Sequence, residues 1–265
     1  MIYTIPTRFE EFTLAVKVAT ASPQVIRIIL KDVDLPNTEF TNRYKTVNGE
    51  FTFFIRVPVS GREAKLIIYN EDIGNIPSAS DRTFQVLNIE KQPLEKRLDM
   101  IDFSINPLLK SFVKFATRFC YNAGALRPDN YTSADRRFII QYLPTIINER
   151  GQVVNTSARI SKQTGIIQVS QDKFIPMTFP MRMAILFHEF SHFYLNDEIN
   201  DEVEADINAL IIYLGLGYPR IEAHDAWLVA FMGAPTEENE HRYKILKEFI
   251  EDFDNTKTLI NIPYP

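Results

Sequence analysis

Two histidines four residues apart flank a glutamate in the run His188-Glu189-Phe190-Ser191-His192. On a helix, positions i and i+4 share one face about a turn apart, so the two imidazoles can each direct a nitrogen at a single metal ion. Glu189 then sits one step round the helix, beside the open side of that ion. A catalytic zinc takes three protein ligands and keeps one position for water, and Glu189 is placed to remove a proton from that water as it attacks a carbonyl. The chemistry expected of this stretch is zinc-assisted hydrolysis.

A third ligand has to come from elsewhere, and the acidic run Glu202-Val203-Glu204-Ala205-Asp206 follows closely. Leu195-Asn196 reads as a helix end, Asn200 as the N-cap of a second helix over 201–214, and Gly215 and Gly217 as its stop. Antiparallel packing across so short a link sets His192 level with Glu202 and His188 level with Asp206. Glu202 is thus the expected third ligand. Asp206 can accept the remaining ring N–H of His188 and fix its tautomer. Ala205 and Ala209 are small enough to let the two helices approach closely. A further histidine, His224, falls on a stripe with Ile221, Leu228 and Phe231, and is a candidate donor to the oxyanion formed during attack.

These residues carry a resemblance. The His188–His192 run followed by Glu202 to Asp206 resembles the gluzincin metallopeptidases, in which a glutamate on the following helix completes a His/His/Glu zinc site and an aspartate four residues later orients the first histidine. The resemblance implies a zincin-like, mostly helical catalytic domain and a peptide or protein substrate, with endopeptidase the expected activity. Gluzincins usually have a longer connection between the two helices, which leaves Asp201 or Glu204 as alternatives to Glu202. The whole chain also resembles virion proteins of the crAss-like tailed bacteriophages, of the kind found in tail rings, a resemblance that no single motif carries.

The elements that must position these residues follow from periodicity. Residues 12–18, 24–30, 43–47, 51–59, 64–69 and 83–89 are rich in β-branched and aromatic side chains, and Asn48-Gly49 is a two-residue hairpin signal. Residues 1–90 are expected to form an antiparallel β-sandwich resembling immunoglobulin-like modules. The charged stretch 90–99, with Pro93, reads as the boundary to a second domain over 95–265. There, Asn106 and Pro107 open a helix whose Phe112, Phe115 and Phe119 recur at helical spacing. Strands are expected over 136–143, 158–161 and 166–170. The last is the candidate edge to which an extended substrate adds. Thr178 or Phe179 with Pro180 starts the metal helix, Pro219 precedes a helix over 220–232, and Thr236 caps the last one. The predicted class is α+β: the β module, then a mostly helical domain with a small sheet.

Composition removes several other functions. The chain has 265 residues, 45% of them hydrophobic, and a formal charge of −5 with no dense basic block, so no nucleic acid is expected as partner. One cysteine, Cys120, excludes an internal disulfide. The first twelve residues lack the basic and apolar regions of a signal peptide, and no apolar run approaches the roughly 20 residues of a membrane span. Synthesis in a reducing cytoplasm is expected, with a virion as a further destination. The rival to the enzyme is a structural or assembly protein, a phage tail or connector ring subunit that keeps an idle zinc site on a peptidase-like scaffold. In either case the β module and the Pro-containing tail, 255–265, are the expected contacts for homo-oligomer or virion assembly.

Overall fold

Phe12, Leu14, Val16, Val18, Ile26, Ile28 and Leu30 alternate with more exposed neighbours. In the computed structural model, which describes residues 1–74, 81–94, 106–232 and 235–253, all are buried along one long strand, β2 (Phe12–Asp32). With β1 (Ile2–Pro6), β3 (Glu39–Val57), β4 (Glu63–Asn70) and β5 (Phe84–Gln92) it forms a five-stranded, wholly antiparallel sheet. β3 accompanies β2 throughout, β5 pairs with the first half of β2, and β4 pairs with the second half and carries β1. Phe53, Ile55, Val57, Leu66, Ile68 and Phe84 complete the buried side.

Asn48-Gly49 does not make the expected hairpin. Both residues lie inside β3, where Thr20 pairs with Gly49 and Gln24 with Val47, so residues 21–23 pass a single residue, Asn48. Gly49 has φ +80, and its tolerance of that angle serves a bulge in a continuous ribbon, not a reversal. The charged stretch that begins at Glu90 also starts as strand, because Glu90 to Gln92 pair with Ala15 to Thr13; residues 95–99 lie outside the described residues. Chain contacts divide the molecule into two compact units, Met1–Glu95 and Lys96–Pro265.

The second unit contains α1 (Pro107–Asn122), β6 (Asp129–Thr132), β7 (Ile139–Leu143), β8 (Ala158–Ile160), β9 (Ile167–Ser170) and α2 (Gln171–Phe174). It continues with α3 (Phe179–Tyr194), α4 (Glu202–Gly215), α5 (Arg220–Met232) and α6 (Glu237–Asp252). Among the described residues the chain is therefore α+β, with six helices. Asn106 caps α1 by accepting from the Leu109 N–H, and Phe112 reaches Phe190 of α3 in a stacked pair with centroids 4.3 Å apart. Phe138 meets Phe112 edge-on at 5.1 Å. This aromatic contact fixes α3 against α1 and the sheet.

The second sheet has the order β6-β7-β9-β8, with β7 and β9 parallel. β9 is consequently interior and is not the edge expected over 166–170; the outer strands of this sheet are β6 and β8. The two strands of a hairpin are equally plausible edges from their sequence; the parallel pairing of β9 with β7 decides between them.

A fully buried arginine sets the depth of α3. Arg182 donates through Nε to the Phe174 carbonyl at 3.0 Å, through Nη1 to Cys120 at 2.9 Å and through Nη2 to Ile175 at 2.8 Å. These are the carbonyl ends of α1 and α2, where a cation is favoured by the helix dipole. Thr178 caps α3, and its hydroxyl donates to the buried Glu222 of α5 at 2.7 Å.

Candidate metal centre

α3 presents His188 and His192 on one face, and α4 runs back beside it. Asp201, not Asn200, is the N-cap of α4, accepting from the Glu204 N–H. The link of residues 195–201 is short but internally bonded: the Glu204 carboxylate accepts from the Asp197 N–H at 3.0 Å, and Asn196 Nδ2 donates to the Asp201 carbonyl at 2.7 Å. Ala205 and Ala209 are fully buried in α4. With Asp201 and Glu204 occupied in building the link, Glu202 is the acidic residue of this group that reaches the histidines.

Three side chains converge. His188 Nε2 is 3.1 Å from His192 Nε2 and 3.5 Å from Glu202 Oε2, and His192 Nε2 is 3.4 Å from Glu202 Oε1. Ligands around a tetrahedral zinc with bonds near 2.05 Å stand about 3.4 Å apart. The two nitrogens and the Glu202 carboxylate, which meets them through different oxygens, stand at separations of that order, and these residues form a group able to hold a metal ion.

The second nitrogen of each ring explains why the first is available. His192 Nδ1 faces the Ile199 carbonyl at 3.0 Å, an acceptor, so it carries the proton and leaves Nε2 with a lone pair. His188 Nδ1 lies 2.8 Å from Asp206 Oδ1, close in distance although bent from the axis of a good hydrogen bond. Two imidazole lone pairs and a carboxylate directed at one point repel one another unless a cation lies between them. Burial opposes a charge on His188, but Asp206 and Glu202 outweigh it and push the imidazole up to about 10. Burial likewise acts against ionised Glu202, yet the two histidines hold its carboxyl far below the usual range. The two shifts are mutual: each group favours the ionised form of the other.

Asp206, 1% exposed, is the hub behind the cluster. It accepts from Trp227 Nε1 at 2.8 Å and from Arg242 Nε at 2.8 Å, and Arg242 also reaches Glu202 Oε2 at 3.2 Å. Sequence reading missed both partners. The signal for Arg242 was present: it stands four and eight residues before the buried Leu246 and Ile250 of α6, a cation on an apolar stripe. Trp227 gave no such sign.

Glu189, 7% exposed, borders the same cavity as the triad. Burial raises its carboxyl pKa; His188, His192 and the facing Ile160 amide oppose the rise, and Glu202 reinforces it. The cavity, about 540 Å³, also takes in Ala158 to Ile160 of the β8 edge and Val229 to Phe231 of α5. His224 is not brought to it. Its ring meets Tyr243 of α6 edge-on, with centroids 6.2 Å apart, while the neighbours expected to share its apolar stripe, Ile221 and Leu228, are 43% and 42% exposed. The fold thus leaves His224 apart from the group, and α5 turns Glu222, Ala223, Ala226 and Trp227 inward instead.

Cys120 is buried in α1, and burial pushes its thiol pKa up, away from nucleophilic use. No helix among the described residues is long and apolar enough to cross a membrane. Comparison of the chain with protein-family models, with curated proteins and with solved structures gives no match.

Proposed function

We propose that the chain is a zinc-dependent endopeptidase of gluzincin type, with His188, His192 and Glu202 as metal ligands and Glu189 as general base. The observation that carries the reading is the convergence of two imidazole nitrogens and the Glu202 carboxylate at 3.1 to 3.5 Å beside a buried, non-ligating glutamate that shares their cavity. Two nitrogens and one carboxylate oxygen suit zinc among the common divalent ions. When bound in such a set, zinc polarises a carbonyl and lowers the pKa of water.

The chain's own residues divide the remaining work. Asp206 and the Ile199 carbonyl hold the two rings in the tautomer that leaves Nε2 bare. Arg242 keeps Glu202 and Asp206 charged and in place. Glu189 takes the proton of the attacking water and delivers it to the leaving nitrogen. The β8 edge offers backbone groups to an extended substrate.

For the N-terminal unit we propose an immunoglobulin-like docking module, through which a crAss-like virion would carry the enzyme. Its exposed Tyr44 and Phe54, 63% and 55% accessible, support a contact role.

The test is Glu189→Gln. It should keep zinc and fold, and lose hydrolysis of a broad peptide library by about 10² to 10⁴-fold, the usual contribution of a general base. Elemental analysis and library cleavage are read on the same preparation. Full zinc with no cleavage by the unmutated chain, in the library or in its assembly, would remove the enzyme reading in favour of the scaffold.

A further inference from the structure

The whole chain carries a formal charge of −5, yet the walls around the cluster carry the opposite sign. Apart from the histidines, Glu189 and Glu202, the charged residues lining the cavity are Arg159, Lys162, Lys173 and Arg242. Arg242 is already paired with Glu202 and Asp206. The others have no carboxylate partner among the described residues. Arg159 donates to the Gln168 side chain and the Ile147 carbonyl, and Lys162 donates to Asn200 Oδ1 at 2.6 Å. Lys173 is exposed on α2.

Position along the fold gives this charge a direction. Among the described residues β8 is the outer strand of its sheet, and one side of its backbone has no neighbouring strand. Ser157, just before β8, accepts from the Ser170 N–H, three residues ahead of Lys173; Arg159 is the middle of β8; Lys162 lies in the turn after it. An extended chain covers roughly 16 Å from 157 to 162. Arg159, Lys162 and Lys173 all line the cavity that borders this edge, the Arg159 guanidinium lying over Gln168 on the sheet face.

We infer that the site selects extended peptides bearing carboxylates, which meet Arg159, Lys162 and Lys173 along the β8 edge. The inference deepens the peptidase reading by naming the substrate class. The carboxylates come from aspartate and glutamate side chains or from the substrate's own C-terminus. Each exposed pair contributes only about 1.4 to 5-fold in affinity, so three together span about 3 to 100-fold, with about tenfold in the middle of that range. A Lys-rich peptide is repelled by the same groups.

The experiment separates binding from turnover. The zinc-loaded Glu189→Gln chain is titrated by fluorescence anisotropy with extended peptides of about ten residues carrying Glu, Gln or Lys at matched positions, each with a free and an amidated C-terminus. Cleavage by the unmutated chain is measured separately. Glu peptides should bind about tenfold more tightly than Gln peptides and Lys peptides more weakly still, and the difference should collapse at about 0.5 M salt. Lys173→Gln, at an exposed position, and Arg159→Gln should each reduce the ratio of Glu-peptide to Gln-peptide affinity a few-fold. A preference that survives amidation assigns the carboxylate to side chains, and one lost on amidation assigns it to the C-terminus. Equal binding of Glu and Gln peptides, tighter binding of Lys peptides, or no binding of any set overturns the inference. Acidic binding without cleavage by the unmutated chain removes the peptidase reading and leaves the binding preference standing; cleavage with no charge preference does the reverse.

Discussion

Glu202 and Glu204 are the same residue type two positions apart, and the link before α4 gives them different work. Glu204 is turned back onto the Asp197 and Glu198 amides, whereas Glu202 faces both imidazoles. Glu202→Ala should accordingly lose the metal, and Glu204→Ala should keep it while loosening the link by about 1 kcal/mol, the usual value of a local capping bond. Elemental analysis and thermal melts of the two variants check this; zinc lost from Glu204→Ala alone would reverse the assignment. Arg242 acts one step further out. Its removal leaves Asp206 and Glu202 without their cation, so Arg242→Ala should weaken zinc binding by about 10 to 100-fold in a chelator competition, and Arg242→Lys should recover part of the loss. Unchanged affinity in Arg242→Ala would confine that residue to packing.

At the scale of elements, the position of α3 decides whether the histidines meet Glu202 at all. One end of α3 is tied to α5 through Thr178 and Glu222, its middle to α1 through Phe190 and Phe112, and its first turns to the ends of α1 and α2 through Arg182. Arg182 is the most consequential of these, since a guanidinium with no exposed surface satisfies three carbonyls. Arg182→Met, similar in length but without donors, should destabilise the second unit by about 3 kcal/mol or more. That corresponds to about 6 to 12 °C in melting temperature for a unit of this size. A melt within about 1 °C of the parent would show that water replaces the guanidinium without loss.

For the whole molecule, the two units have separate cores. Alternating residues of β2 to β5 build one, and the aromatic contacts of α1, α3 and the second sheet build the other. Chains covering Met1–Glu95 and Lys96–Pro265 should each unfold cooperatively when made alone. In the intact chain, removing zinc should lower the transition of the second unit only, because a ligand stabilises the unit that binds it. Calorimetry with and without a chelator reads both outcomes. One shared transition that shifts as a whole would mean the units are thermodynamically a single domain.

Local signals in the sequence were enough for the pieces nearest the chemistry. Asn106-Pro107, Thr178 with Pro180 and Thr236 announced three helices, because a cap and a first-turn proline act within four residues. The i, i+4 spacing of His188 and His192, and the short link to Glu202 and Asp206, likewise pointed to the group that the fold brings together, since a helix hairpin leaves little freedom of register. Tertiary structure decided the rest. Asn48-Gly49 became a bulge because β2 and β3 continue past it as one ribbon. β9 became interior through a parallel pairing with β7, 27 residues away in sequence by Ile140 and Ile167. His224 was turned from the cavity, and Arg242 into it, by how α5 and α6 pack against α3 and α4. Spacing along a chain fixes which residues share a face; it carries no information about which neighbour that face will meet, and that choice rests on the burial of all the faces at once.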